Sequence, residues 1–197
     1  MKKYLSLLRD VDAWYRAVKA AHPSEVPCGR GCRDCCLGLF DVSIADRELL
    51  RAGLAKADEA TRRDIASRAG EILAKLRASF PTLGDTLEGL DDGTVDAVCD
   101  ALGPVECPVL GPAGECRLYE HRPLTCRLAG VPVVDVSGEV IAREGCARCT
   151  LSAKDAPRLD GRGMHRREEK ILRALDPERA DVTLLIPQAL AGPARRE

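Results

Sequence analysis

The stretch Cys28-Gly29-Arg30-Gly31-Cys32-Arg33-Asp34-Cys35-Cys36 sets the reading of this chain, because it gathers four cysteines into nine residues beside two glycines. Core residues rarely cluster in that way. Thiols at such spacings let one short loop wrap an ion or a cluster and turn backbone N–H groups toward the sulfurs. Gly29, Gly31 and Gly38 supply the backbone freedom that the wrap needs. Adjacent side chains usually diverge, so one of Cys35 and Cys36 is expected to serve a second site, or none. Three nearby thiolates joined by one distant thiolate is a common way of holding an iron–sulfur cluster.

The distant partners are at hand. Cys107, Cys116, Cys126, Cys146 and Cys149 lie across a helical insert from the first loop. Together with Cys28, Cys32, Cys35 and Cys36 they form a pool of nine metal-ligand candidates, enough for two four-thiolate sites with one thiol left over. The tenth, Cys99, falls on the apolar stripe Val95, Val98, Cys99, Leu102 and reads as a small buried hydrophobe. Cys146-x2-Cys149 has the spacing of a redox dithiol but lacks the strand-then-helix setting of that motif. Cys28-x3-Cys32-x2-Cys35 has the spacing used by radical S-adenosylmethionine enzymes, yet Asp34 stands where those enzymes usually carry an aromatic. His22, His121 and His165 show no ligand spacing, which leaves sulfur as the donor.

The 197 residues suffice for one well-cored domain, and two full domains would be a tight fit. Only six residues are aromatic, so the core must be aliphatic and a metal anchor would add a useful increment to it. A formal charge of −1 gives no global attraction to nucleic acid. The 23 arginines against 7 lysines read as a compositional bias, not as phosphate forks, and no nucleic-acid partner is expected. The basic start Met1-Lys2-Lys3 precedes an apolar run that charge soon interrupts, and no stretch approaches the length of a bilayer span. The expected setting is therefore cytoplasmic and reducing, without membrane association, where ten cysteines mean metal more readily than five disulfides.

Periodicity supplies the frame. A leading helix runs from 4 to 21 and stops at His22-Pro23. Ser43 with Asp46 three residues later is a weakened capping box that opens a helix over about 44–57. A longer amphipathic helix follows from Asp58 to Ser79, with Ile65, Ala69, Ile72, Leu73 and Leu76 on one stripe, and these two helices are expected to pair antiparallel. The run from Cys107 to Tyr119 reads as a hairpin or hooked turn around a Gly/Pro tip, and Pro123 opens a helical turn. Val131–Val136 and Glu139–Ala142 fit a hairpin across Ser137-Gly138. A helix over 166–175 and a tail without readable chemistry complete the chain. The expected fold is mainly α with small irregular β pieces, a cysteine-rich metal-centred single domain. Its expected parts are a leading helix over 1–27, a cysteine-cluster region over 28–149 with a helical insert at about 44–102, and a C-terminal helical extension over 150–197.

Read together, these residues resemble the YkgJ-like bacterial cysteine-cluster family of zinc- or iron-chelating domains, which also contributes a domain to the flagellin lysine N-methylase. Cys28-x3-Cys32-x2-Cys35-Cys36 is similar to its paired-end signature, and Cys107-Pro108-Val109-Leu110 to its Cys-Pro-aromatic-Leu. Cys116-Arg117-Leu118-Tyr119-Glu120-His121-Arg122-Pro123 and Cys126-Arg127 follow in the family's order. The chain departs from the family in a first gap of three residues where two is common, and in offering both Cys146 and Cys149 as the last cysteine.

The resemblance implies metal or cluster binding without one agreed reaction. The leading expectation is an iron–sulfur protein, with a 4Fe-4S cluster favoured, in redox or group-transfer chemistry. The alternative is a structural zinc module that presents a helical surface to a protein partner. Lysine methylation ranks below both, since no glycine motif for a methyl donor is present. Arg122 or Arg127 would balance a thiolate-ligated cluster or bind an anion, or else Glu120 and an arginine would form a structural pair while Pro123 fixes the turn. No catalytic residue is assigned.

Overall fold

The computed structural model describes residues 1–29, 31–142 and 146–191. It opens with α1 (Lys2–Ala21), whose Tyr4, Leu7, Leu8, Val11 and Val18 form one buried stripe. An irregular loop follows, then β1 (Asp41–Ser43) and α2 (Ile44–Lys56). Ser43 and Asp46 form a full capping box: the Ser43 hydroxyl accepts from the Asp46 N–H, and the Asp46 carboxylate accepts from the Ser43 N–H. After α3 (Glu59–Ser79), capped by Asp58, come α4 (Asp92–Asp100) and α5 (Leu124–Leu128). The chain then forms β2 (Val133–Val134), β3 (Val140–Ala142), α6 (Gly161–Leu175), β4 (Thr183–Leu185) and α7 (Ile186–Leu190). The fold is mainly α with two small antiparallel strand pairs, β1–β4 and β2–β3.

The stripe read from α3 is the stripe that is buried: Ile65, Ala69, Ile72, Leu73 and Leu76. Each larger member contributes about 1.5–3 kcal/mol by leaving water. The expected α2–α3 pair, however, does not form. Both helices pack instead on α7, which fills the space between them with Ile186, Ala189 and Leu190. The segment read as a tail is thus core: β4 pairs with β1, Val42 opposite Leu184, and Gln188 accepts the Leu185 N–H to hold the start of α7. Helix α6 begins five residues before the expected 166, where the Asp160 carboxylate accepts from Gly163 N–H at 2.8 Å.

One buried polar network ties four elements together. Asp46 Oδ1 accepts from Tyr4 Oη at 2.6 Å and from Leu124 N–H at 3.0 Å, while Ser43 donates to Oδ2. The bond to Leu124 fixes the first turn of α5, and α5 carries Cys126. Burial pushes the Asp46 carboxyl above its usual range; the same cause, reinforced by the Asp46 charge, holds Glu168 on α6 at about 7. No helix among the described residues is long and apolar enough to cross a membrane.

Candidate metal centre

Three irregular segments meet beside α5. The first, the loop after Pro27, is folded by short backbone bonds: Cys32 N–H donates to Gly29 O at 3.0 Å, and Cys36 N–H to Arg33 O at 2.7 Å. The second bond closes a 3₁₀ turn over Asp34–Cys36. The second segment is the hook expected over 107–119. Gly111 N–H donates to Glu115 O at 2.7 Å, and Leu110 bridges Cys116.

Loop and hook are laced to one another. Leu37 bridges Glu106, and Cys107 N–H donates to Cys36 O at 2.8 Å. At the tip, Gly31 (φ +83°) faces Gly114 (φ +79°), and a Cβ on Gly114 would stand 3.0 Å from the Gly31 carbonyl oxygen. Only glycines permit both the left-handed backbone and that approach. The third segment carries Cys146, whose N–H donates to Gly130 O at 3.3 Å; Cys28 Sγ lies against the same Gly130. Arg143, Glu144 and Gly145, just before it, lie outside the described residues, as does Arg30 in the first loop.

All ten cysteines are free and half-buried. Cys107, Cys116 and Cys126 pack together on the apolar cluster of Leu50, Val109, Leu118 and Leu184. Cys28 and Cys149 pack on another, with Trp14, Tyr15, Val26 and Leu151. Cys99 rests against the cluster of Leu76 and Val98, as its place on the α4 stripe implied, and burial pushes its thiol up to about 11.

The electrostatics show which thiols sense one another. Burial pushes Cys28, Cys107, Cys116 and Cys126 up, Cys107 to about 11. Cys35 is the exception: a hydrogen bond from the Cys36 thiol, with help from Arg122, holds it down at about 6 despite burial. The same hydrogen bond pushes Cys36 up. The 3₁₀ turn over Asp34–Cys36 keeps the two thiols close enough to influence one another's charge. Charge on Cys35 is felt by Cys116 and Cys126 on one side and by Cys28 on the other. Cys28 also senses Cys32 and Cys146. The loop, the hook, α5 and the third segment thus bring eight of the nine candidates into one electrostatic neighbourhood centred on Cys35. Cys149 joins it through its packing beside Cys28 and through its N–H, which donates to Cys146 O at 2.8 Å.

Both arginines reach Asp12 of α1, Arg122 from 3.9 Å, and differ in what else they do. Arg127 is only 7% exposed and is spent on structure: it pairs with Asp12 of α1 and donates to the Arg122 and Glu120 carbonyls at 2.9 and 3.0 Å. The acid of the structural pair is Asp12, not Glu120, a partner 115 residues away that no local spacing reveals. Arg122 stacks its guanidinium 3.8 Å from the Tyr119 ring and lies near enough to Cys35 and Cys116 to favour their thiolates. Two of the histidines have other partners: His22 pairs with Glu25 at 2.7 Å, and His121 meets Lys56 at 3.3 Å.

The donor set fits a thiophilic ion or an iron–sulfur cluster, since it is sulfur-rich, half-buried and flanked by a cation. Beside Cys116, the Glu115 carboxylate covers Gly111, and its Oε2 is buried with no hydrogen-bond partner among the described residues. Nothing but its adjacency to a cysteine singles this residue out in the sequence. Among the described residues no three Cys, His, Asp or Glu side chains already stand in coordination geometry, so ligation requires rotation of side chains within the zone.

No curated protein and no solved structure matches the chain. The family model CxxCxxCC, described as "Putative zinc- or iron-chelating domain", matches residues 27–146. Its span opens one residue before Cys28 and closes on Cys146, taking in the loop, the hook and α5. Matched over more than half of its length, the chain belongs to the CxxCxxCC family of zinc- or iron-chelating domains.

Proposed function

We propose that this protein holds an iron–sulfur cluster, 4Fe-4S by preference, and uses it in redox or group-transfer chemistry. The observation that carries the reading is the neighbourhood around Cys35: thiols from three irregular segments and α5, no histidine, and Arg122 beside them. A thiolate-ligated cluster carries net negative charge, which a guanidinium at its edge offsets. Cys35, Cys36, Cys107, Cys116 and Cys126 are the first group of ligands to be tested, with Cys28, Cys32 and Cys146 as the second. Cys146 is preferred to Cys149 as the last ligand, because Cys28 senses its charge and the family match ends on it. A reducing, cytoplasmic setting belongs to the same reading, since the thiolates must stay unoxidised to bind.

The test is anaerobic purification followed by the visible spectrum and by iron and acid-labile sulfide analysis. A brown protein with iron and sulfide in matching amounts is expected. A colourless protein with stoichiometric zinc and neither iron nor sulfide would replace this reading with the structural one. That second reading has its own support: the loop and the hook have almost no regular secondary structure, and a closed four-thiolate zinc site would organise them without chemistry. Its surfaces would then serve a protein partner.

A further inference from the structure

Away from the thiols, four arginines line one cavity of about 230 Å³ between α2, α3 and the segment leading to β4. Arg47 and Arg51 lie one turn apart on α2, Arg77 ends α3, and Arg179 comes from the turn after α6. Asp85, Thr86 and Gln188 complete the polar wall, Gln188 being already bonded to Leu185 N–H and Gly84 O, and the apolar lining is aliphatic, including Leu73 and Leu184. Four arginines thus line a space whose wall holds a single carboxylate.

Local partners fix several of these side chains without filling their capacity. Arg51 Nε donates to the Ala189 carbonyl at 3.2 Å, Arg77 reaches Asp85 at 3.1 Å, and Arg47 pairs with Glu48 at 3.1 Å. Each guanidinium carries five donors, so each retains N–H groups for a further acceptor. Glu48 and Asp85 offset two of the four positive charges, and the excess that is left favours an anion in the cavity. The planar forks match the oxygens of a phosphoryl group, and the fixed positions lower the entropy lost on binding. The cavity is smaller than the usual pocket for a drug-sized ligand, and no aromatic lines it to stack a base.

We propose that this cavity is a binding site for a phosphate- or diphosphate-bearing small molecule, which is held through its phosphoryl oxygens by Arg47, Arg51, Arg77 and Arg179. The excess of arginine that reads as composition along the chain acquires a local use here, because three separate elements bring four of them together. The site is independent of the metal centre and holds whether that centre contains iron or zinc.

Calorimetric titration of inorganic pyrophosphate into the full chain, as purified with its metal, tests the assignment. The expected result is saturable one-to-one binding that weakens with added salt. It should weaken at least ten-fold in Arg51→Ala and in Arg179→Ala, and less in Arg179→Lys. Metal content and thermal midpoint, read on the same samples, separate loss of the site from loss of the fold. Arg166→Ala, on the exposed face of α6, controls for general charge and should bind as the parent does. Absence of saturation at low salt, or equal weakening by Arg166→Ala, would overturn the proposal. So would an oligonucleotide that binds more tightly than pyrophosphate through the same arginines.

Discussion

Gly114→Ala tests how the centre is assembled, and Gly89→Ala is its matched control. Both glycines have φ +79°, so both substitutions force an L-residue into left-handed backbone at a cost of about 1–2 kcal/mol. Their surroundings differ. A Cβ on Gly89 meets nothing within 4 Å, whereas one on Gly114 stands 3.0 Å from the Gly31 carbonyl oxygen and 3.6 Å from its carbon. Ordinary contact begins at 3.4 Å, so hook and loop must part by some tenths of an ångström at the point where Cys32 and Cys116 are held. Backbone resists such a shift more than a flexible side chain does, and disturbing the support around metal ligands typically costs about 10–100-fold in affinity. Urea unfolding should show a loss of stability in both variants, the larger one in Gly114→Ala, where the contact adds to the backbone cost. Chelator competition should show metal affinity reduced by about 10–100-fold in Gly114→Ala and within about two-fold of the parent in Gly89→Ala. Equal metal affinity in both variants would refute the claim that the glycine contact sets the position of the thiols.

Three further outcomes follow from the same structure. Arg127→Ala strands two carbonyls and leaves Asp12 with Arg122 at 3.9 Å as its remaining cation, and should lower unfolding free energy by about 2 kcal/mol in a denaturant titration. Glu168, at about 7 in the fold against 4.5 ordinarily, keeps a proton that the unfolded chain releases; stability therefore falls as pH rises from 4.5 to 7 and levels off above that. Glu168→Gln should remove this slope and gain up to about 3 kcal/mol at pH 8 with little gain at pH 4, measured as the difference from the parent. Arg122→Gln withdraws a cation from Cys35 and should raise that thiol above about 6, which slows its alkylation at pH 6–7 in the metal-free protein.

Much of the fold was legible because it depends on local rules. The Ser43/Asp46 box, the α3 stripe and the hook at 107–119 each follow from a few adjacent residues. The failures share a cause in long-range packing. Thr183–Leu190 is too short for periodicity to register, and its identity as core depends on β1 and on the two helices it separates. Asp12 and Arg127 lie 115 residues apart, and only the packing of α1 on α5 joins them. The candidate cysteines stand out in the sequence by their spacing, whereas the way the loop places Cys35 and Cys36 depends on a 3₁₀ turn at Asp34–Cys36 that turn-rich composition does not specify. The arginine cavity is the extreme case, since none of its residues is notable in the sequence.

The central claim is that thiols from the first loop and from the hook and α5 bind the same inorganic centre. Alkylation of native protein before and after metal removal, mapped by mass spectrometry, measures this residue by residue. Cys35, Cys36, Cys107, Cys116 and Cys126 should be protected together and released together when the metal is stripped, with Cys99 unchanged by the treatment. Protection confined to Cys28–Cys36, with Cys107, Cys116 and Cys126 indifferent to metal, would contradict the account.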